Sequence, residues 1–430
     1  MTDLTQISEH PMIANFLRYV GIDTMSVMRE DPASTGENPS SPGQLELRKL
    51  LIEQMTELGL PEDMIMELDD GSLLVHRPAT KGCQDAPVVC FSAHLDTAPK
   101  VPGKAVPIIH DWDGESDITL PSNGTVIPAD QLPDKASPII TASGDTLLGA
   151  DDKAGVAIMM QLIADSFTQK HGELWFLFCT DEEIGELDIT VVPDEIVRTW
   201  DIIWTLDGEE IGPIDVGSII CNKVVATFKG VNAHPGVAGD QIRAANYAMI
   251  EMLAALLDRS NPMTTSGIEA FYFTPVIYES TPALSKCMLS PRSFDPDENV
   301  AMTAELKVIA ERCAKHWDVE LEWLDEMLAP NTRTVNERHP ELMDIGFQAH
   351  LEHNIVPEER DVRGGTDGAM IQQALRDKGW DEDDLPAAFN MGTGAKNLHG
   401  EREYLSVSEL LKAHRITLTM IEKYAVFEQD

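Results

Sequence analysis

The chain has 430 residues, more than one core usually serves, so two domains are expected. Its 73 acidic and 32 basic residues leave a net charge of −41, which repels nucleic acid and anionic membrane surfaces and argues against both as partners. No run approaches the roughly 18 apolar residues of a membrane span, and the start Met1-Thr2-Asp3-Leu4 lacks the basic-then-apolar order of a signal peptide.

A metal site needs only a handful of carboxylates, so most of the acidity reads as solvated surface. The six cysteines (Cys83, Cys90, Cys179, Cys221, Cys287, Cys313) include no CxxC pair. They read as reduced, mostly buried thiols of a cytoplasmic protein.

Taken in order, the chain opens with a helical pattern around Ile13 to Val20. Glu30 to Ser41 is rich in Pro, Ser, Gly and Asn and reads as a loop. Ser41-Pro42-Gly43-Gln44 has the form of a capping box, and a helix with an apolar face at Leu47, Leu50, Leu51, Met55 and Leu58 follows. Strands over Met64–Leu68 and Leu73–His76 flank an Asp70-Gly71 turn. Pro87 to Ala93 is a near-continuous apolar run, as in a buried parallel strand, and it delivers His94-Leu95-Asp96-Thr97. Lys100 to Pro138 is polar and rich in Pro, Gly and Asp, and reads as a surface excursion.

Leu148-Gly149-Ala150-Asp151-Asp152-Lys153-Ala154-Gly155 comes next. A short strand, Thr146–Leu148, is expected before it. An amphipathic helix carrying Val156, Met159, Met160, Ile163 and Phe167 is expected after it. Glu173 to Cys179 and Asp201 to Leu206 are two more apolar strands, delivering Asp181-Glu182-Glu183 and Asp207-Gly208. From about Ile219 the pattern changes to strand Lys223–Lys229, helix Gln241–Leu257, strands near Phe271–Tyr278 and Lys286–Phe294, helix Val300–Lys315 and strand Val319–Leu324. The first pattern then returns, with a helix near Glu341–Leu351, Arg363-Gly364-Gly365-Thr366-Asp367-Gly368, a strand near Ala387–Met391, a Gly-rich loop carrying His399, and a helix from Val407 to about Tyr424. The expected fold is α/β: a catalytic domain with a mixed, largely parallel sheet flanked by helices, and an inserted α+β lid. The boundaries are 1–218 and 332–430 for the two catalytic parts and 219–331 for the lid.

Three apolar strands thus end in groups able to bind metal, at the strand ends where open α/β sheets bind ligands. Mixed His and carboxylate donors suit zinc, with cobalt or manganese as substitutes, better than calcium. Two His and three carboxylates fill two sites if Asp151 bridges: His94, Asp151 and Asp207 hold one ion, and Asp151, Glu183 and His399 the other. Three carboxylates against two divalent ions leave a charge of about +1, which favours hydroxide over water. Glu182 is the expected general base. Asp96 is expected to orient the His94 ring through the nitrogen that does not face the metal.

These motifs, with Asn232-Ala233-His234-Pro235-Gly236, resemble in order those of the cocatalytic dizinc peptidases and aminoacylases. The resemblance covers nearly the whole chain and implies a catalytic domain interrupted by a lid. Among that family it is most similar to aminopeptidases that remove the N-terminal residue of tripeptides. The alternative is a dipeptidase or N-acyl amino acid deacylase. The resemblance implies that His234 helps to stabilise an oxyanion. It also implies that Arg292 and Arg363 meet the peptide carboxylate, which suits the guanidinium fork. The chain departs from the family pattern at Glu209-Glu210, from Tyr278 to Leu289, and at Asn390 to Ala395. A short peptide is the expected partner, and the chain is expected to be a monomer or homodimer.

Overall fold

A computed structural model describes residues 4–30, 38–99, 101–133, 135–261, 263, 267 and 269–427. The expected loop at Glu30–Ser41 therefore falls outside the described residues over 31–37. The strands are β1 (Ile65–Glu67), β2 (Leu73–Arg77), β3 (Val89–His94), β4 (Ile108–Asp111), β5 (Ile118–Thr119), β6 (Val126–Ile127), β7 (Pro138–Thr141), β8 (Leu174–Cys179), β9 (Ile202–Gly208), β10 (Pro213–Ser218), β11 (Ile220–Lys229), β12 (Ala270–Ser280), β13 (Leu284–Ser293), β14 (Glu320–Ala329), β15 (Glu358–Val362), β16 (Ala387–Gly392), β17 (Ala395–Lys396) and β18 (Tyr404–Ser406).

Eight strands form one mixed sheet in the order β1-β2-β8-β3-β9-β16-β10-β15. Its centre, β8-β3-β9-β16, is parallel throughout. Every residue of β3 and β8 is buried, which explains their unbroken apolar runs. Successive side chains serve opposite faces. Val89, Phe91 and Ala93 enter one core with residues of the helices Pro11–Tyr19, Ala150–Asp165, Pro340–Glu352 and Val407–Tyr424. Cys90, Trp175, Leu177 and Cys179 enter the other, against Ile371 and Leu375 of the helix Asp367–Asp377. Full burial of a Phe or Leu stabilises by roughly 1.5–3 kcal/mol, so packing holds these strands level.

A separate antiparallel sheet, β12-β13-β11-β14, lies between residues 220 and 329. The helices Ala245–Ala255 and Pro296–Trp317 pack on it through Met249, Met252, Met302 and Leu306, against Val224, Phe228 and Leu289. The architecture is α/β with a second α+β layer, as the change of pattern implied. All six cysteines are buried and free. Among the described residues no helix is long and apolar enough to cross a membrane.

The local expectations need five corrections. Thr146–Leu148 is not a strand; the strand before the Asp151 loop is β7, and Leu147 and Leu148 are buried in irregular backbone. The helix that follows is not amphipathic, because helices and sheet surround it and its residues are buried on nearly every face from Ala150 to Ile163. The 100–138 stretch is not only loop. It supplies β4 to a sheet ordered β17-β18-β7-β4 and builds a small core of Trp112, Ile118, Leu120, Ile127 and Ile139. The helix expected from Gln241 begins at Ala245, because Arg243 is held in an extended bridge to Val231. The capping box does not form. Ser41 is the N-cap without a side-chain cap bond, and Gln44 turns its amide to Asp181 instead.

Candidate metal centre

The parallel strands end level, with His94 paired to Cys179 in register, and their last residues and following turns meet at one place. His94 Nε2 lies 2.9 Å from Asp151 Oδ1 and 3.6 Å from Asp207 Oδ1. The other oxygen of Asp151 lies 3.0 Å from His399 Nε2, which is 3.1 Å from Glu183 Oε1. Asp151 therefore faces His94 with one oxygen and His399 with the other, and the five residues form two triads that share it.

The sequence builds this geometry locally. Asp151 is extended (φ −82°, ψ 104°) inside the first helical turn, so its carboxylate leaves the helix path, unlike an ordinary N-cap. Asp152, next to it, accepts the backbone N–H groups of His94 (3.2 Å) and Gly155 (3.1 Å). Asp96 lies 3.3 Å from His94 Nδ1 and accepts the N–H groups of Glu182 and Glu183, both at 3.2 Å. One carboxylate thus orients the imidazole and holds the turn bearing both glutamates. Asp181, in the left-handed region at φ 57°, is tied by Ser40 and by the Gln44 amide at 2.7 Å. His399 is also left-handed (φ 61°), an uncommon conformation for a non-glycine residue that tends to accompany functional sites.

Gly155 is required by close approach. A Cβ there would lie 2.3 Å from the Leu206 carbonyl oxygen and 2.6 Å from Asp152 Oδ1. Gly155→Ala should destabilise the fold by about 1–3 kcal/mol, as overpacking does, measurable in urea denaturation. An unchanged midpoint would show that the helix shifts freely at this point.

The buried charge is heavily negative. Burial, reinforced by neighbouring carboxylates, pushes the acids of Asp152, Glu182, Glu183 and Asp207 up from the ordinary carboxylate range. Burial would also raise Asp151, but hydrogen bonds from His399 and His94 hold it below that range. Burial alone would lower His94, yet Asp151, Asp207 and Asp96 raise it well above its ordinary value. A hydrogen bond to Asp151, with the Glu183 carboxylate beside it, pushes His399 up to about 11. Protons on two imidazoles are a poor substitute for divalent cations among so many acids. Glu183 Oε1 has no partner of hydrogen-bonding geometry, although it lies beside His399. The donor set and that orphaned oxygen fit two divalent ions. His94, Asp151 and Glu183 place donor atoms within 4.8 Å of one another, and so do His94, Asp152 and Asp207; Glu182 belongs to neither group.

The resemblance added three residues. His234 is exposed, and its Nδ1 accepts the Gly236 N–H at 3.2 Å within its own loop. Arg292, on β13, donates to the Arg363 carbonyl at 3.2 Å, and the Arg363 guanidinium lies 4.9 Å from the centre of the Phe271 ring. The two arginines are therefore neighbours. The buried Cys221 thiol, raised by burial, is within electrostatic reach of both Arg292 and Glu182. Glu210 is paired with Lys396 at 3.1 Å.

Several supporting groups carried no signal in the sequence. Glu403 accepts the N–H groups of Gly149 (2.7 Å) and Asp151 (3.0 Å), and burial raises its acid to about 7. Lys153 is wholly buried and donates to the Ile22 carbonyl; desolvation lowers it to about 8. Asn390 accepts the Asp207 N–H at 3.1 Å. Lys153 lay inside the Leu148–Gly155 motif and Gln44 inside a capping-box pattern, but neither pattern pointed to these roles.

Residues 144–423 match the model of peptidase family M20/M25/M40. The chain belongs to this family. Members similar to it include peptidase T of Bacillus cereus (strain Q1), 33% identical over 426 residues that cover 96% of this chain and 98% of the relative. Among solved structures, the fold is similar to aminopeptidase PepT from Bacillus cereus, with TM-score 0.66, 22% identity, and 96% and 98% of the two chains covered. It is also similar to a tripeptidase from Staphylococcus aureus, with TM-score 0.69, 20% identity, and 97% and 98% covered.

Proposed function

We propose that this M20/M25/M40 peptidase is an aminopeptidase that removes the N-terminal residue of short peptides, with tripeptides as its substrates and two zinc ions as its cofactor. The observation that carries this reading is the pair of triads sharing Asp151 beside a glutamate, Glu182, that joins neither metal-binding group. His94, Asp151 and Asp207 would hold one ion, and Asp151, Glu183 and His399 the other. When bound, such ions acidify water and polarise the scissile carbonyl. The sequence similarity to peptidase T over nearly the full chain supports the substrate class.

The residues around the ions do the rest. Glu182 takes the proton of the attacking water and returns it to the leaving amine. Burial raises its acid above the ordinary carboxylate range, and Asp207 adds to the shift. Asp96 keeps Glu182 at its turn by accepting the Glu182 N–H. The strands β11 to β14 and their two helices constitute a lid at 219–331, and the metal-binding residues all fall outside it. The lid arginine Arg292, beside Arg363, binds the peptide carboxylate. Three extended residues span roughly 10 Å, at about 3.3–3.6 Å each, so carboxylate capture sets the length of the substrate.

Hydrolysis of free tripeptides against N-acyl amino acids tests this reading. Tripeptide turnover is expected; a preference for the acyl amino acids would make the protein a deacylase of the same family. Arg292→Ala should raise KM strongly for a free tripeptide and much less for its C-terminal amide. The difference should amount to about 1.5–3 kcal/mol, the worth of hydrogen bonds to a charged group. If wild-type protein cleaves amide and acid equally well, Arg292 does not read the carboxylate.

A further inference from the structure

The loop that bears His399 and the loop that bears Asp151 are 248 residues apart in the chain, yet they hold their side chains 3.0 Å apart. The Glu403 side chain joins them directly. Glu403 follows His399 by four residues and immediately precedes β18, which pairs with β7 and β17 and so fixes its backbone. Its own N–H is bonded to the Gly400 carbonyl. The residue is 1% exposed, and its carboxylate spends both oxygens on the opposite loop, Oε2 on the Gly149 N–H and Oε1 on the Asp151 N–H. Gly149 is left-handed at φ 77°, which directs the chain into the turn. Such N–H groups at the start of a helix lack intrahelical partners, and the expected partner is a local side chain at the cap. Here Gly149 is the cap residue and has no side chain, and the acceptor comes from 254 residues away.

We propose that Glu403 is a positioning residue for the dimetal centre: it clamps the Asp151 loop to the His399 loop and so sets the aim of the bridging carboxylate. The proposal rests on the dizinc reading above. A purely structural acceptor would stabilise the fold without a particular effect on metal. A clamp on the bridging residue predicts that both ions loosen together, because Asp151 serves both.

The test uses the full chain, stripped of metal and titrated with zinc against a chromophoric chelator. Glu403→Ala is expected to weaken both zinc equivalents by about 10–100-fold, the usual cost of losing an outer-shell partner. The denaturation midpoint of the metal-free protein should change little by comparison, and excess zinc should restore turnover. Glu403→Gln keeps the shape and one acceptor oxygen but presents an amide to the second N–H. It is expected to weaken both equivalents to a smaller degree, and it carries the test if the alanine variant does not fold. Zinc affinity equal to wild type in Glu403→Gln, or weakening of one equivalent alone, overturns the proposal while leaving the dizinc reading intact. Wild-type protein that binds fewer than two equivalents overturns both.

Discussion

Asp151→Ala should remove both metal ions at once and with them all measurable turnover. Among the described residues, Asp151 is the one whose two oxygens face both imidazoles, His94 at 2.9 Å and His399 at 3.0 Å. A bridge serves both ions, so its loss leaves each triad with two ligands. Elemental analysis of the purified variant should give close to zero equivalents, and zinc should no longer raise its denaturation midpoint. In wild-type protein, zinc a hundredfold above its Kd stabilises by about 2.7 kcal/mol for each site. One retained equivalent would show that Asp151 serves a single ion, and Asp152, whose oxygen groups with His94 and Asp207, would be the candidate for the other role.

Glu182→Ala should lower kcat by at least about 10²–10⁴-fold, the usual cost of removing a general base, and leave about two zinc equivalents in place. Glu182 and Glu183 are adjacent in the short 3₁₀ turn after β8, where three residues make a turn and successive side chains therefore diverge. Glu183 Oε1 lies 3.1 Å from His399, whereas Glu182 joins no metal-binding group among the described residues. Glu183→Ala should show the converse, losing one equivalent before any chemistry is tested. If Glu182→Ala loses a metal and Glu183→Ala keeps both, the two glutamates have exchanged roles.

What the sequence revealed and what it concealed follow from how each group is used. His94 and Asp207 were legible because each sits at the end of an apolar run, and the turn after β8 made Glu183 legible in the same way. A buried parallel strand leaves few other reasons for a charged residue at its carboxyl end. Asp151 was legible as a helix-entry acid, although the residues expected as a strand before it are irregular. Glu403 was not legible. Glu401-Arg402-Glu403 looks like a solvated charge run, and its role is to satisfy backbone N–H groups far away in the chain. Asn390 likewise acts through a backbone N–H, and its burial in β16 gives no sign of that. β15 was missed because Glu358-Glu359-Arg360-Asp361-Val362 is an edge strand, where charge discourages further pairing and erases the apolar pattern. Resemblance alone suggested His234, and the fold places it in an exposed loop with its imidazole turned to Gly236.

The central claim is that two ions held through Asp151 serve one hydrolytic reaction. It is tested most directly by adding zinc stepwise to metal-free protein while bound metal and tripeptide turnover are measured on the same sample. Turnover should be absent without metal and reach its full level only as the second equivalent binds. Full turnover at one equivalent, or turnover that persists in metal-free protein, would contradict the account.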